Sequence, residues 1–137
     1  MIPLVMVLIA AQAAAPADCR SCDLLAKLSS ALSEASAGRF FDHVDRAMPD
    51  YANFRTSVEA LLAQNDIGCS IDVLEEKGDK ERIDALVDWF MDIRSTQTSG
   101  PMERRRMRVH VLQEKQKGEW KVTDIQPRSI LGPLEVR

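Results

Sequence analysis

The sequence predicts an α+β domain in which N-terminal helices pack on a four-stranded antiparallel meander. Three observations carry this. Apolar residues recur at helical spacing as far as Leu62 and alternate in twos from Ile67 onward. Two short turn segments, KGD at 77–79 and QKG at 116–118, stand where hairpins are needed. Four alternating segments then follow one another with only turns between them, which segregates the helices to one face of the sheet.

The first helix reads CDLLAKLSSALSEASAG, with Leu24, Leu25, Leu28, Ala31, Leu32 and Ala35 on one side. Ser21 is placed to cap its start and Gly38 to end it. A second helix, RFFDHVDRAM, carries Phe40, Phe41, Val44 and Met48, and Pro49 stops it. Asp50 then stands as N-cap of YANFRTSVEALLAQ, whose face is Tyr51, Phe54, Val58, Leu61 and Leu62.

In the first strand Ile67, Cys69, Ile71 and Val73 share a face, which makes Cys69 a core residue. RIDALVDWFMDIRS follows, with Ile83, Ala85, Val87, Trp89, Met91 and Ile93 on one side. Ile83, Leu86, Val87 and Phe90 also fit a helix, but strict alternation and the preceding hairpin favour strand. Met107, Val109 and Val111 mark the third strand, and Trp120 and Val122 the fourth, which Pro127 weakens at its end.

Charge is unevenly spread. The chain of 137 residues carries −3 formally, as −7 over residues 1–100 and +4 over the rest. Its acidic total argues against a general nucleic-acid binder. The run ERRRMR has a simpler use. A hairpin centred near Ser99 sets Asp92 against Arg106 and Asp88 against His110; a slip of two residues sets Asp92 against Arg104 and Asp88 against Arg108. Either register opposes an acidic strand to a basic one, so no nucleic-acid partner is expected.

Residues 2–11 are apolar, too short to span a bilayer, and small residues follow. Residues 1–17 thus read as a signal peptide, although its first segment lacks Lys and Arg. A buried N-terminal strand or a misplaced start is the competing reading. Residues 18–137 are then one exported domain, periplasmic or secreted, with no membrane contact after signal removal. In an oxidising compartment Cys19 and Cys22 form a local disulfide or stay as surface thiols; redox catalysis is the alternative. One CxxC pair, a distant Cys69 and two separated histidines are a poor metal inventory. No phosphate loop or nucleophile elbow is present, so neither metal nor cofactor is expected.

In its order of elements the chain resembles the nuclear transport factor 2-like superfamily, the cone fold of ketosteroid isomerase and the SnoaL-like proteins. The resemblance runs from residue 23 to about 131 and rests on FFDHVD, ALVDWFMDI and MRVHVLQEKQKGEWKVTDIQP. It implies a curved sheet wrapped on helices (a cystatin-like cone roll), an apolar pocket in the cone and a homodimer through the sheet. The isomerases' carboxylate base, tyrosine and protonated acid do not map here. Tyr51 is the single tyrosine, and Asp84, Asp88 and Asp92 lie on the face opposite the apolar one.

The expectation is an exported protein that binds a small apolar ligand or a partner protein in or on the cone. Tyr51, Phe54, Trp89, Met91, Met107 and Trp120 are the candidate pocket-lining residues. The alternative is an enzyme of isomerase, dehydratase or hydrolase type, with His43, Asp42 and Tyr51 as candidate catalytic residues. A cone filled by apolar side chains favours binding; a carboxyl or imidazole converging on its interior favours catalysis.

Overall fold

The structure, a computed structural model, describes residues 18–134; the segment read as a signal peptide lies outside them. Three helices, α1 (Cys22–Ser33), α2 (Ala37–Phe41) and α3 (Tyr51–Gln64), precede four strands. These are β1 (Asn65–Gly78), β2 (Arg82–Ser95), β3 (Glu103–Gln116) and β4 (Glu119–Gln126), and a 3-10 turn, η1 (Arg128–Leu131), follows them. The sheet is antiparallel in the order β1-β2-β3-β4. Its inner face meets the helices in one apolar core that includes Leu28, Phe40, Val58, Trp89, Val111 and Ile125.

The first two helices are shorter than their apolar pattern, while α3 spans the stretch read for it. α1 ends at Ser33 rather than near Gly38, because Ala35 takes a left-handed φ of 55°. α2 stops at Phe41, so His43 lies in a turn and not on a helix. The competing bonds come from β4: Asp45 N–H donates to the Val122 carbonyl at 2.8 Å, and Val122 N–H donates to the His43 carbonyl at 2.8 Å. That bridge draws the chain out of helical geometry. Asp50 does precede α3, in a left-handed conformation, but its side chain accepts from Asn53 and not from the helix backbone.

The β1–β2 turn depends on Gly78. Its φ is +148°, and a Cβ there would sit 2.0 Å from the Arg82 carbonyl oxygen. On the edge strand β1, Cys69 is half-buried rather than a core residue. Helix α1 covers the strand at this point. Ser29 Oγ donates to the Cys69 carbonyl at 2.8 Å, and Cys69 N–H donates to Ser33 Oγ at 3.2 Å. Edge groups that could recruit another strand are thereby occupied.

The β2–β3 pairing follows the slipped register: Trp89 faces Met107, Asp92 faces Arg104 and Asp88 faces Arg108. The turn begins early. Ser95 Oγ accepts from the N–H groups of Gln97 and Thr98, which moves the centre of the hairpin one residue toward β2. The charge ladder is then part direct and part diagonal. Arg104 meets Asp92 at 3.3 Å, while Arg106 reaches Asp88 at 2.7 Å and His110 reaches Asp84 at 2.9 Å. The bond from Arg106 holds the Asp88 carboxyl below its ordinary value.

Candidate functional site

The cone interior is packed with apolar side chains. Leu25, Leu28, Leu32, Phe40, Trp89, Met91 and Ile125 are each no more than 1% exposed. Among the described residues the buried polar side chains are Ser21, Asn65 and Gln113, so no carboxyl or imidazole is buried there to act as acid or base. Two of the spaces that could take a ligand lie at the ends of the cone instead.

At the end where β2 leaves and β3 begins is a cavity of about 900 Å³. Ile93, Met102, Met107, Pro133 and Leu134 give it an apolar lining, with Arg104 and Arg105 at its polar side. The strand period turns Ile93, Arg105 and Met107 inward together, and the C-terminal segment forms the opposite wall. Arg105 holds that wall. Its side chain is 9% exposed and pairs with Glu103. It also donates to the carbonyls of Ile130 at 2.9 Å, Gly132 at 2.8 Å and Pro133 at 2.9 Å.

At the other end, α1, the turn after α2 and the β3–β4 turn enclose a cleft of about 570 Å³. Arg20, Asp23, Lys27, Asp42, His43, Trp120 and Lys121 line it. The signs alternate: Lys27 pairs with Asp23 at 3.0 Å, and Lys121 Nζ donates to the Asp42 carbonyl. The Arg20 guanidinium lies 5.2 Å from the centroid of the Trp120 ring and donates to the Asp79 carbonyl at 2.8 Å. Partial burial, with Lys27 and Lys121 near it, lowers the His43 pKa below its ordinary value. Those surroundings favour the neutral imidazole over the charged one.

The predicted residues are thus divided among several places. His43, Asp42 and Trp120 share the polar cleft, and Met107 lines the apolar cavity. Trp89 and Met91 lie in the core, as does Phe54 at 7% exposure. Tyr51 stands apart from His43: its ring meets Phe41 edge-on at 5.5 Å and its hydroxyl accepts from Arg55 at 2.9 Å. Cys19 and Cys22 are joined by a disulfide. Cys69 is a free thiol, which burial pushes up to about 11. Among the described residues no group of three His, Cys, Asp or Glu is placed to hold a metal ion, and no helix is long and apolar enough to cross a membrane.

Sequence reasoning missed Arg20, Lys27 and Lys121, which tertiary packing alone brings to one cleft. It also missed Arg105. An arginine on the apolar side of an alternating strand was the signal available for it.

No protein-family model matches the chain, and no curated protein matches it. Solved structures do. A conserved protein from Planctomyces limnophilus superposes with a TM-score of 0.67 at 11% identity, over 77% of this chain and 94% of that one. A putative calcium/calmodulin dependent protein kinase II association domain from Xanthomonas campestris gives 0.62 at 14% identity, over 88% and 94%. A designed nuclear transport factor 2-like protein gives 0.58 at 12% identity, over 77% and 93%. The chain has the nuclear transport factor 2-like cone fold, with three helices on an open four-stranded sheet.

Proposed function

We propose that this protein is an exported binding module that takes a small apolar ligand at the open end of its cone and performs no chemistry in the interior. The observation that carries the reading is the cavity of about 900 Å³ beside Met107, in a molecule whose interior is otherwise filled. Its size falls within the ordinary range for ligand sites, and its lining of methionine, isoleucine, leucine and proline suits an apolar occupant. The Cys19–Cys22 disulfide supports an oxidising compartment.

Binding of 1-N-phenylnaphthylamine, an apolar fluorescent probe, tests the site. The wild type is expected to bind it, and Met102→Asp and Leu134→Asp to weaken binding at least tenfold with the fold intact. Neither residue is fully buried, so both variants can fold. Equal binding by the variants would sink the reading. Export predicts an intact mass that starts between residues 14 and 18 in protein taken from the native cell envelope.

A second copy is the partner favoured by the outer sheet face. There Leu86, Phe90 and Leu112 stay only half-buried between the charged rows, and Leu74 on β1 is 45% exposed. Light scattering should give a dimer mass for the wild type and a monomer mass for Phe90→Glu. A wild-type monomer at tens of micromolar would refute this part.

A further inference from the structure

The four-residue loop closed by Cys19 and Cys22 holds two residues with distant partners. Ser21 is fully buried; its N–H donates to Glu76 Oε2 at 2.7 Å, and its Oγ accepts from Gln113 Nε2 at 3.1 Å. Arg20 N–H donates to Glu76 Oε1 at 3.1 Å, and its guanidinium forms a wall of the His43 cleft against Trp120. Both sulfurs belong to partly exposed residues. A loop this short constrains little of the unfolded chain. In the folded one the bond shares the placing of Arg20 with Glu76 and the Asp79 carbonyl.

The two sulfurs stand in opposite surroundings. Cys22 is the first residue of α1, at the positive end of a twelve-residue helix. Cys19 Sγ lies 3.9 Å from Glu76 Oε2. A thiolate is favoured at Cys22 and disfavoured at Cys19. That asymmetry gives exchange a direction, since the thiol that better carries charge leaves first.

We propose that the Cys19–Cys22 disulfide is a thiol–disulfide exchange site, and that its opening by a thiol reductant loosens Arg20 in the wall of the His43 cleft. An incoming thiolate attacks the Cys19 sulfur. The S–S bond breaks, a mixed disulfide forms at Cys19, and Cys22 leaves as the thiolate. A second reductant thiol then attacks the reductant's sulfur in the mixed disulfide and frees Cys19, which takes a proton and donates its S–H to Glu76. The reductant becomes a disulfide, and two electrons pass to the protein pair. With the loop open, Arg20 keeps its bonds to Glu76 and Asp79 but loses the covalent closure beside them, and that loss loosens its guanidinium against Trp120. This inference does not depend on the apolar cavity at the other end of the cone.

The test equilibrates native protein in mixtures of reduced and oxidised glutathione and reads the pair by thiol labelling and mass. The expected result is a dithiol population in millimolar reduced glutathione while circular dichroism stays native. Reduction should also red-shift tryptophan emission as Arg20 loosens against Trp120. That shift should vanish in Trp120→Phe and be mimicked without reductant by the Cys19→Ser, Cys22→Ser double variant. If the pair stays closed until the protein unfolds, it is a staple and the exchange site is overturned. If the shift persists in Trp120→Phe, the loosening of Arg20 is overturned even where exchange occurs.

Discussion

The two ends of the cone tie down opposite ends of the described chain, and they do so with opposite chemistry. Near residue 20 the fastener is a carboxylate: Glu76 accepts the N–H groups of Arg20 and Ser21. Near residue 132 it is a guanidinium: Arg105 donates to the carbonyls of Ile130, Gly132 and Pro133. The difference follows from backbone polarity. A chain entering a helix presents unpaired N–H groups, and a chain leaving a helical turn presents unpaired carbonyls. The sheet answers each with the matching side chain, Glu76 from the edge strand β1 and Arg105 from β3.

Burial makes the two fasteners unequal. Arg105 is 9% exposed and satisfies several carbonyls at once. Arg105→Ala strands those carbonyls and leaves Glu103 without this partner, so it should cost about 3 kcal/mol in urea unfolding. Arg105→Lys should recover less than half of that, because an ammonium cannot span the same fan of acceptors. A loss below about 1 kcal/mol for Arg105→Ala would mean that the C-terminal segment is held by Ile130 and Leu131 alone.

The carboxylate fastener depends on pH where the guanidinium does not. Burial works to raise the Glu76 carboxyl, but the bonds from Ser21 and Arg20 outweigh it and hold the carboxyl below its ordinary value. A carboxyl depressed in the folded state adds stability that is complete above its unfolded pKa and lost as pH falls through the folded one. Arg20 is the charged group facing it, and Ser21 and Gln113 behind it are neutral. Glu76→Gln should therefore cost about 1 kcal/mol near neutral pH, a figure discounted for partial exposure. The cost should fade as the wild-type carboxyl protonates in acid. A cost that is the same at neutral and acid pH would show that shape, not charge, holds the N-terminal turn.

The same contrast marks what the sequence made legible. The strand faces and the acidic-against-basic pairing of β2 with β3 were readable, because period and charge sign are local properties. The register was readable only to within two residues, since both alternatives preserve the faces. What decided it was a turn formed by Ser95. The truncation of α2 was hidden: Phe40, Phe41, Val44 and Met48 fit a helix, and the bonds that break it come from Val122, far along the chain. His43 and Asp42 were picked out as polar residues, but Lys27, Lys121 and Arg20 join them through packing alone. Trp89 and Met91 show the limit of an apolar stripe as a pocket signal. In sequence they look like Met107, and in the fold they fill the core while Met107 lines a cavity.

One further terminus closes its carbonyls with no side chain at all, and it sharpens the contrast most finely. At the end of α1, Ser36 N–H donates to the Ala31 carbonyl at 2.8 Å and Ala35 N–H to the Leu32 carbonyl at 3.1 Å. This is the paired closure that needs a left-handed residue, and Ala35 supplies it at a φ of 55°. A left-handed alanine costs about 1–2 kcal/mol, whereas glycine loses about 0.5–1 kcal/mol more chain entropy on folding. Ala35 is exposed, so its methyl adds no core packing. Ala35→Gly should then stabilise the protein by about 0.5 kcal/mol, read as a higher urea midpoint at unchanged slope. Asp50 makes the control, since it is also left-handed, at a φ of 59°, but its carboxylate accepts from Asn53 at 2.7 Å. Asp50→Gly gives up that bond and should gain less. A lower midpoint for Ala35→Gly would show that the backbone closure is not strained, and that α1 ends where it does for want of further core to cover.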